Sequence, residues 1–160
     1  MRDVPEETVR EMNRIAEEMF GTTHDPEQIP ITRESADKLD ALTSHWLVYE
    51  HDVGGKPISW VVVVPTQRDL AERFLRGEVS ERRLLDLTKP ELMYDALYLC
   101  SAITVPEHRG RGLASKLLLA AVAQAPLAPG ALVFAWPTTD EGRRLVARIS
   151  PRVPGGVHLR

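Results

Sequence analysis

The residues best suited to chemistry lie together in Val105-Pro106-Glu107-His108-Arg109-Gly110-Arg111-Gly112-Leu113-Ala114. The run stands between an apolar stretch over residues 97–105 and a leucine-rich one over residues 113–125, so it reads as strand, loop, helix. A helix start presents backbone N–H groups that have no acceptor within the helix. The helix dipole adds roughly half a positive charge at the same place. Together they suit an anion, and phosphate above all. Gly110 and Gly112 let the loop take a positive φ and let a phosphate approach the backbone, since neither carries a Cβ. Ala114 is the next smallest choice, and Arg109 and Arg111 add positive charge.

Three phosphate motifs compete for this loop. A P-loop needs G-x-x-x-x-G-K-S/T, but Lys116 is preceded by Ser115 and followed by Leu117. A dinucleotide fingerprint needs G-x-G-x-x-G, and Ser115 stands where its third glycine belongs. It also wants an acidic residue after the next strand, whereas residues 131–136 close on Pro137. The pattern R/Q-x-x-G-x-G/A is met in full by Arg109-Gly110-Arg111-Gly112-Leu113-Ala114. A tight turn with surface arginines is the blander reading. Strand, Val-Pro-Glu, arginine spacing and helix in order outweigh it.

On these residues the chain resembles the GNAT superfamily of N-acetyltransferases. The likeness covers residues 96–149, and the hairpin over residues 46–64 is compatible with it. The resemblance implies that Arg109, Gly110, Arg111, Gly112, Leu113, Ala114 and Ser115 hold the pyrophosphate of acetyl-CoA. It implies a pantetheine arm running along Ile103, Thr104 and Val105, with Ile103 and Val105 pairing to it through their backbones. A backbone N–H near Ile103 would polarise the thioester carbonyl. It implies a gap between the strands at residues 97–105 and 131–136. An amine would attack the thioester directly, with no covalent enzyme intermediate.

The same resemblance leaves the proton chemistry open. Many relatives carry a tyrosine acid in the last helix, in a pattern like N-x-x-A-x-x-x-Y; here Thr139, Gly142 and Val146 stand at those positions. An alternative function is therefore a non-catalytic acyl-CoA-binding module. Tyr98 is a candidate acid, on a strand face expected to carry Cys100, Ala102 and Thr104 as well. Glu50 and His51 point to opposite faces of their strand, so at most one of them faces a cleft, and Glu50 is the candidate base. Asp95 is a weaker candidate and reads as a solvated strand-start residue. His108 borders the loop, and Cys100 reads as a small buried strand residue. His24, His45, His51, His108 and His158 have no metal-ligand spacing, and no metal is expected.

These groups must be positioned by the rest of the chain. Asp3, Pro5 and Glu6 resemble a helix start, and Val9, Met12, Ile15, Ala16 and Met19 make one apolar helix face ended by Gly21. Pro26 and Pro30 break a loop over residues 22–31, and a shorter helix comes next over residues 33–42. Residues 46–51 and 58–64 read as a hairpin across Gly54-Gly55. Its Trp60-Val61-Val62-Val63-Val64 run lacks alternation, as in a strand covered on both faces. Residues 66–87 read as two short helices around Gly77, with Thr66 and Asp69 at cap spacing and Leu70, Phe74, Leu84, Leu85 and Leu87 buried. The last helix opens at Thr138-Thr139-Asp140-Glu141, Thr138 and Glu141 having capping-box spacing, and Ser150-Pro151 ends it. The closing residues, rich in proline and glycine, read as a tail or one short strand. Relatives usually add two strands there and a short turn in place of residues 66–92, so the acceptor side is rebuilt and a second copy of the chain is a possible completion.

The expected fold is therefore α/β: a single domain over residues 1–160 with a central mixed, mostly antiparallel twisted sheet and helices on both faces. A net charge of −3 gives no basic face for nucleic acid. The apolar runs fall far short of a bilayer span, and residues 1–7 lack the apolar core of a signal peptide. One cysteine permits no internal disulfide and suits a reducing, cytoplasmic setting. The partner expected is an amine-bearing acceptor of unknown identity.

Overall fold

The apolar patterning resolves into a sheet with a helical layer on each side. A computed structural model describes residues 4–21 and 27–160. Asp3, His24 and Pro26, with the roles suggested for Asp3 and Pro26, lie outside the described residues. The elements run α1 (Glu6–Phe20), α2 (Arg33–Leu42), β1 (Leu47–His51), β2 (Pro57–Thr66), α3 (Arg68–Leu75), α4 (Glu81–Leu87), β3 (Tyr94–Thr104), α5 (Leu113–Gln124), β4 (Leu127–Ala135), α6 (Asp140–Ile149) and β5 (Val157–Leu159). The sheet order is β1-β2-β3-β4-β5. The pairings β1–β2 and β2–β3 are antiparallel, and β2–β3 is the longest ladder, whereas β3–β4 and β4–β5 are parallel. Each parallel step is made by a helix, α5 or α6, as a parallel return requires.

The sheet separates two cores. Val62, Val64, Ala96, Tyr98 and Phe134 pack against α2, α3 and α4 through Leu39, Phe74 and Leu84. Val61, Val63, Leu97, Leu99, Val133 and Ala135 pack against α5 and α6 through Leu117, Leu118 and Val146. This two-sided covering is why β2 is apolar without alternation. Helix α1 lies over the first face, where Met12 and Ile15 meet Trp60 and Ile103.

Several ends differ from the sequence expectation. Helix α1 starts at Pro5, which has no side-chain capping bond. Thr66 does not cap α3; it lies in β2, and its hydroxyl meets that of Thr88 at 2.6 Å. Thr139 rather than Thr138 caps α6, accepting the Gly142 N–H at 3.0 Å. Strand β4 begins earlier than residue 131, because Leu127 pairs with Tyr94 before the chain bows out and returns at Leu132 opposite Ala96.

Candidate functional site

The site begins where β3 outruns β4. Their last paired residues are Leu99 and Ala135, yet β3 continues to Thr104 against β2 alone. The chain after Ala135 turns away through Trp136-Pro137 toward α6. A gap opens between the strands at this point.

A bulge in β3 sets what faces the gap. Val63 pairs with Leu99 and Val62 with Ser101, so Cys100 is an extra residue in the ladder. One inserted residue flips every side chain beyond it. Tyr98 therefore does not share a face with Ala102 and Thr104: Ala102 packs with the α5 side, and Ile103 packs with α1. The backbone follows the same alternation. Val105 donates its N–H to Ile58 O at 2.9 Å, and the Ile103 carbonyl accepts the Ser59 hydroxyl at 3.0 Å. Ile103 thus pairs with Trp60 across a hydrogen-bonded position, and the neighbouring Ser59 and Thr104 exchange no main-chain bond, although their hydroxyls meet at 2.9 Å. The main-chain groups aimed at the open edge are those of Ala102 and Thr104, which corrects the expected pairing through Ile103 and Val105.

The loop after β3 makes a small second cavity of about 100 Å³, walled by Thr104, His108, Arg109, Gly110, Gly112 and the start of α5. Gly110 and Gly112 have φ of 77° and 72°, values that a side chain resists. A Cβ on either would meet nothing within 4 Å, so the space over the loop is open. Helix α5 makes its first return bond from Lys116 N–H to Gly112 O. The N–H groups of Leu113, Ala114 and Ser115 precede it and are free of the helix ladder. Ser115 Oγ is buried with no hydrogen-bond partner among the described residues. An anion seated over the loop would satisfy that hydroxyl and these N–H groups together, so a phosphate-bearing ligand fits. Arg109 reaches back to Thr104 O at 3.3 Å, and Arg111 contacts His108 Nδ1 at 3.3 Å; both arginines are otherwise exposed.

The main cavity, about 420 Å³, passes through the gap and joins the two faces of the sheet. Its walls on one side come from Leu99, Leu118, Leu145 and Val146, and on the other from Met12, Ala16, Ile29, Ile31 and Trp60. Thr139, Gly142 and Val146 all line it, so the position of the usual tyrosine is a wall of this cavity and is apolar.

The candidate proton-transfer residues are scattered. Tyr98 is fully buried among Phe74 and Phe134 and does not line the cavity. Its hydroxyl donates to Glu81, and burial pushes its pKa far upward, with the charges at Cys100 and Glu81 adding to the rise. It is a core tyrosine outside the cavity wall. Glu50 lies on the α5 side of β1, where Lys116 Nζ bonds both its oxygens at 3.2 Å, and it does not line the cavity. His51 is exposed and donates from Nδ1 to Asp52 O. Asp95, at the far end of β3, accepts the Arg68 N–H at 2.7 Å and so anchors the start of α3. Cys100 does line the cavity, but burial first and the Glu81 charge second raise its thiol pKa well above the ordinary value.

Sequence reasoning missed Glu81. It stands at the first turn of α4, behind the Ser80 cap, and is 7% exposed. Its Oε1 takes the Tyr98 hydroxyl and its Oε2 faces the Ile29 N–H at 3.4 Å. It also lines the main cavity, and among the described residues it is the charged side chain there. In sequence it looks like any acidic residue at a helix start. Only the packing of α4 against β3 turns it inward.

A split sheet with an open, glycine-bearing strand-to-helix loop at the end of the split marks the class of this α/β protein. The model of the Acetyltransferase (GNAT) family matches residues 9–147. The chain belongs to this family. No curated protein matches it.

Proposed function

We propose that the protein is an acetyl-CoA-dependent N-acetyltransferase that acetylates an amine. The observation that carries this is the continuity of site: an open loop with an unpartnered buried Ser115 hydroxyl stands at the end of a strand whose free edge borders a cavity through the sheet. The loop N–H groups, Ser115 and the arginines receive phosphate oxygens, and the Ala102 and Thr104 main chain receives the pantetheine amides. Acetyl-CoA supplies an acetyl group activated as a thioester. The walls around Leu99, Leu118 and Val146 keep water from it, and the gap lets an amine approach from the α1 face.

Calorimetry with acetyl-CoA tests the donor. Micromolar-range binding is expected, with none of NAD or ATP; no binding of any CoA ester would end the reading. Gly112→Val abolishes that binding, since the side chain would fill phosphate space and would sit at a φ of 72°. Retained affinity in a folded variant would count heavily against the site.

The apolar wall at Val146 favours a second reading, an acyl-CoA-binding module without turnover. Thiol release over a panel of amines separates the two. We further propose a cytoplasmic setting, as the single cysteine suits, and a homodimer as one way to complete the acceptor side, which light scattering would reveal. Among the described residues no helix is long and apolar enough to cross a membrane.

A further inference from the structure

We infer that Arg148, on α6, binds the pyrophosphate of the donor and makes α6 the second wall of the phosphate site. This deepens the acetyl-CoA reading above and rests on it. The small loop cavity is built from two sides. One is the end of β3, the loop and the start of α5, with the buried and unpartnered Ser115 hydroxyl. The other is α6, which contributes Leu145 and Arg148. Residues three apart share a helix face, so the half-buried Leu145 and Arg148 lie on one side of α6. Leu145 also lines the main cavity, so it stands where the two spaces adjoin.

The neighbouring arginines are committed elsewhere. On α6, Arg143 bonds Asp140 at 2.7 Å and Arg144 meets Glu141 at 3.6 Å. Arg109 lines the cavity, but its Nε donates to Thr104 O; Arg111, which contacts His108, does not line it. Arg148 has no hydrogen bond or ion pair among the described residues. A cation in the last turn of a helix is favoured by the dipole alone. The dipole is served equally by a side chain that faces bulk water, whereas Arg148 lines the cavity that holds the Ser115 hydroxyl. It is exposed, and free to turn its guanidinium N–H groups toward an anion there. A pyrophosphate carries charged oxygens on each of its two phosphoryl groups. The N–H groups of Leu113, Ala114 and Ser115, with the Ser115 hydroxyl, receive one group, and the planar guanidinium receives the other. The cavity, about 100 Å³, is far smaller than a pocket for a whole nucleotide, so Arg148 acts on the pyrophosphate and not on the ribose phosphate.

The test is calorimetry of the wild type, Arg148→Ala, Arg148→Lys and Arg144→Ala with two donors. One is acetyl-CoA; the other is acetyl-dephospho-CoA, which keeps the pyrophosphate and lacks the ribose phosphate. Arg148→Ala is expected to weaken both donors alike, by about tenfold, the lower end for a hydrogen bond to a charged group. Arg148→Lys retains part of that affinity, because it keeps the charge and loses the fork. The deficit of Arg148→Ala shrinks as salt is raised, which a merely structural role would not produce. Arg144→Ala binds as the wild type does, since Arg144 does not line the cavity. Unchanged affinity in Arg148→Ala, a loss confined to acetyl-CoA, a deficit indifferent to salt, or an equal loss in Arg144→Ala overturns this inference alone. A wild type that binds no CoA ester overturns the donor reading with it.

Discussion

Ser115 and Cys100 show how one side chain can be read from its partners. A buried hydroxyl with no acceptor or donor costs about 1–3 kcal/mol. Ser115→Ala removes that cost, so the folded protein should be no less stable by urea denaturation. Its acetyl-CoA affinity should fall by about two- to tenfold, the worth of one net hydrogen bond; an unchanged affinity would remove Ser115 from the site. Cys100, with its thiol pKa raised, holds little thiolate near neutral pH. It should resist iodoacetamide in the native protein, as mass spectrometry would record, and Cys100→Ala should still turn over. Rapid native-state alkylation would contradict this. Gly110 and Gly112 were legible in the sequence because positive φ has a residue signature. Glu81 was not, because nothing in Ser80-Glu81-Arg82 separates an inward glutamate from a solvated one.

At the scale of elements, the site depends on how α4 and β3 are held. Ser80 caps α4 by accepting the Arg83 N–H at 3.2 Å, one residue ahead of Glu81. Ser80→Ala should cost about 1 kcal/mol of stability, as denaturant titration would test. An unchanged midpoint would show that the cap adds nothing to α4. The elements themselves were readable, since periodicity of 2 and of 3.6 is written in apolar spacing. The bulge was not. Strict alternation through Tyr98-Leu99-Cys100-Ser101 misplaced Ala102 and Thr104, because an inserted residue leaves no mark on composition. The cap of α6 slipped by one residue for a similar reason: Thr138 and Thr139 are both plausible caps, and backbone direction chooses.

Across the whole molecule, Arg160 ties the sheet edge to the wall of the main cavity. Its guanidinium carbon lies 4.1 Å from the centre of the Trp136 ring and 4.7 Å from that of Phe74. Its backbone N–H donates to Ala135 O at 3.1 Å, at the point where β4 leaves β3. Arg160→Ala should lower stability by about 1–2 kcal/mol, measured by denaturant midpoint, and loosen Trp136 in the cavity wall. The sequence showed no reason to look there, since a single arginine after Gly155-Gly156 has no partner until β5 pairs beside β4.

The cavity that crosses the sheet also bears on the order of events in the proposed transfer. Its walls come from both faces of the sheet, so on the acetyl-transfer reading one reactant need not leave before the other arrives. Initial-velocity plots should therefore intersect rather than run parallel, the mark of both reactants present at once. Free CoA should compete with acetyl-CoA but not with the amine.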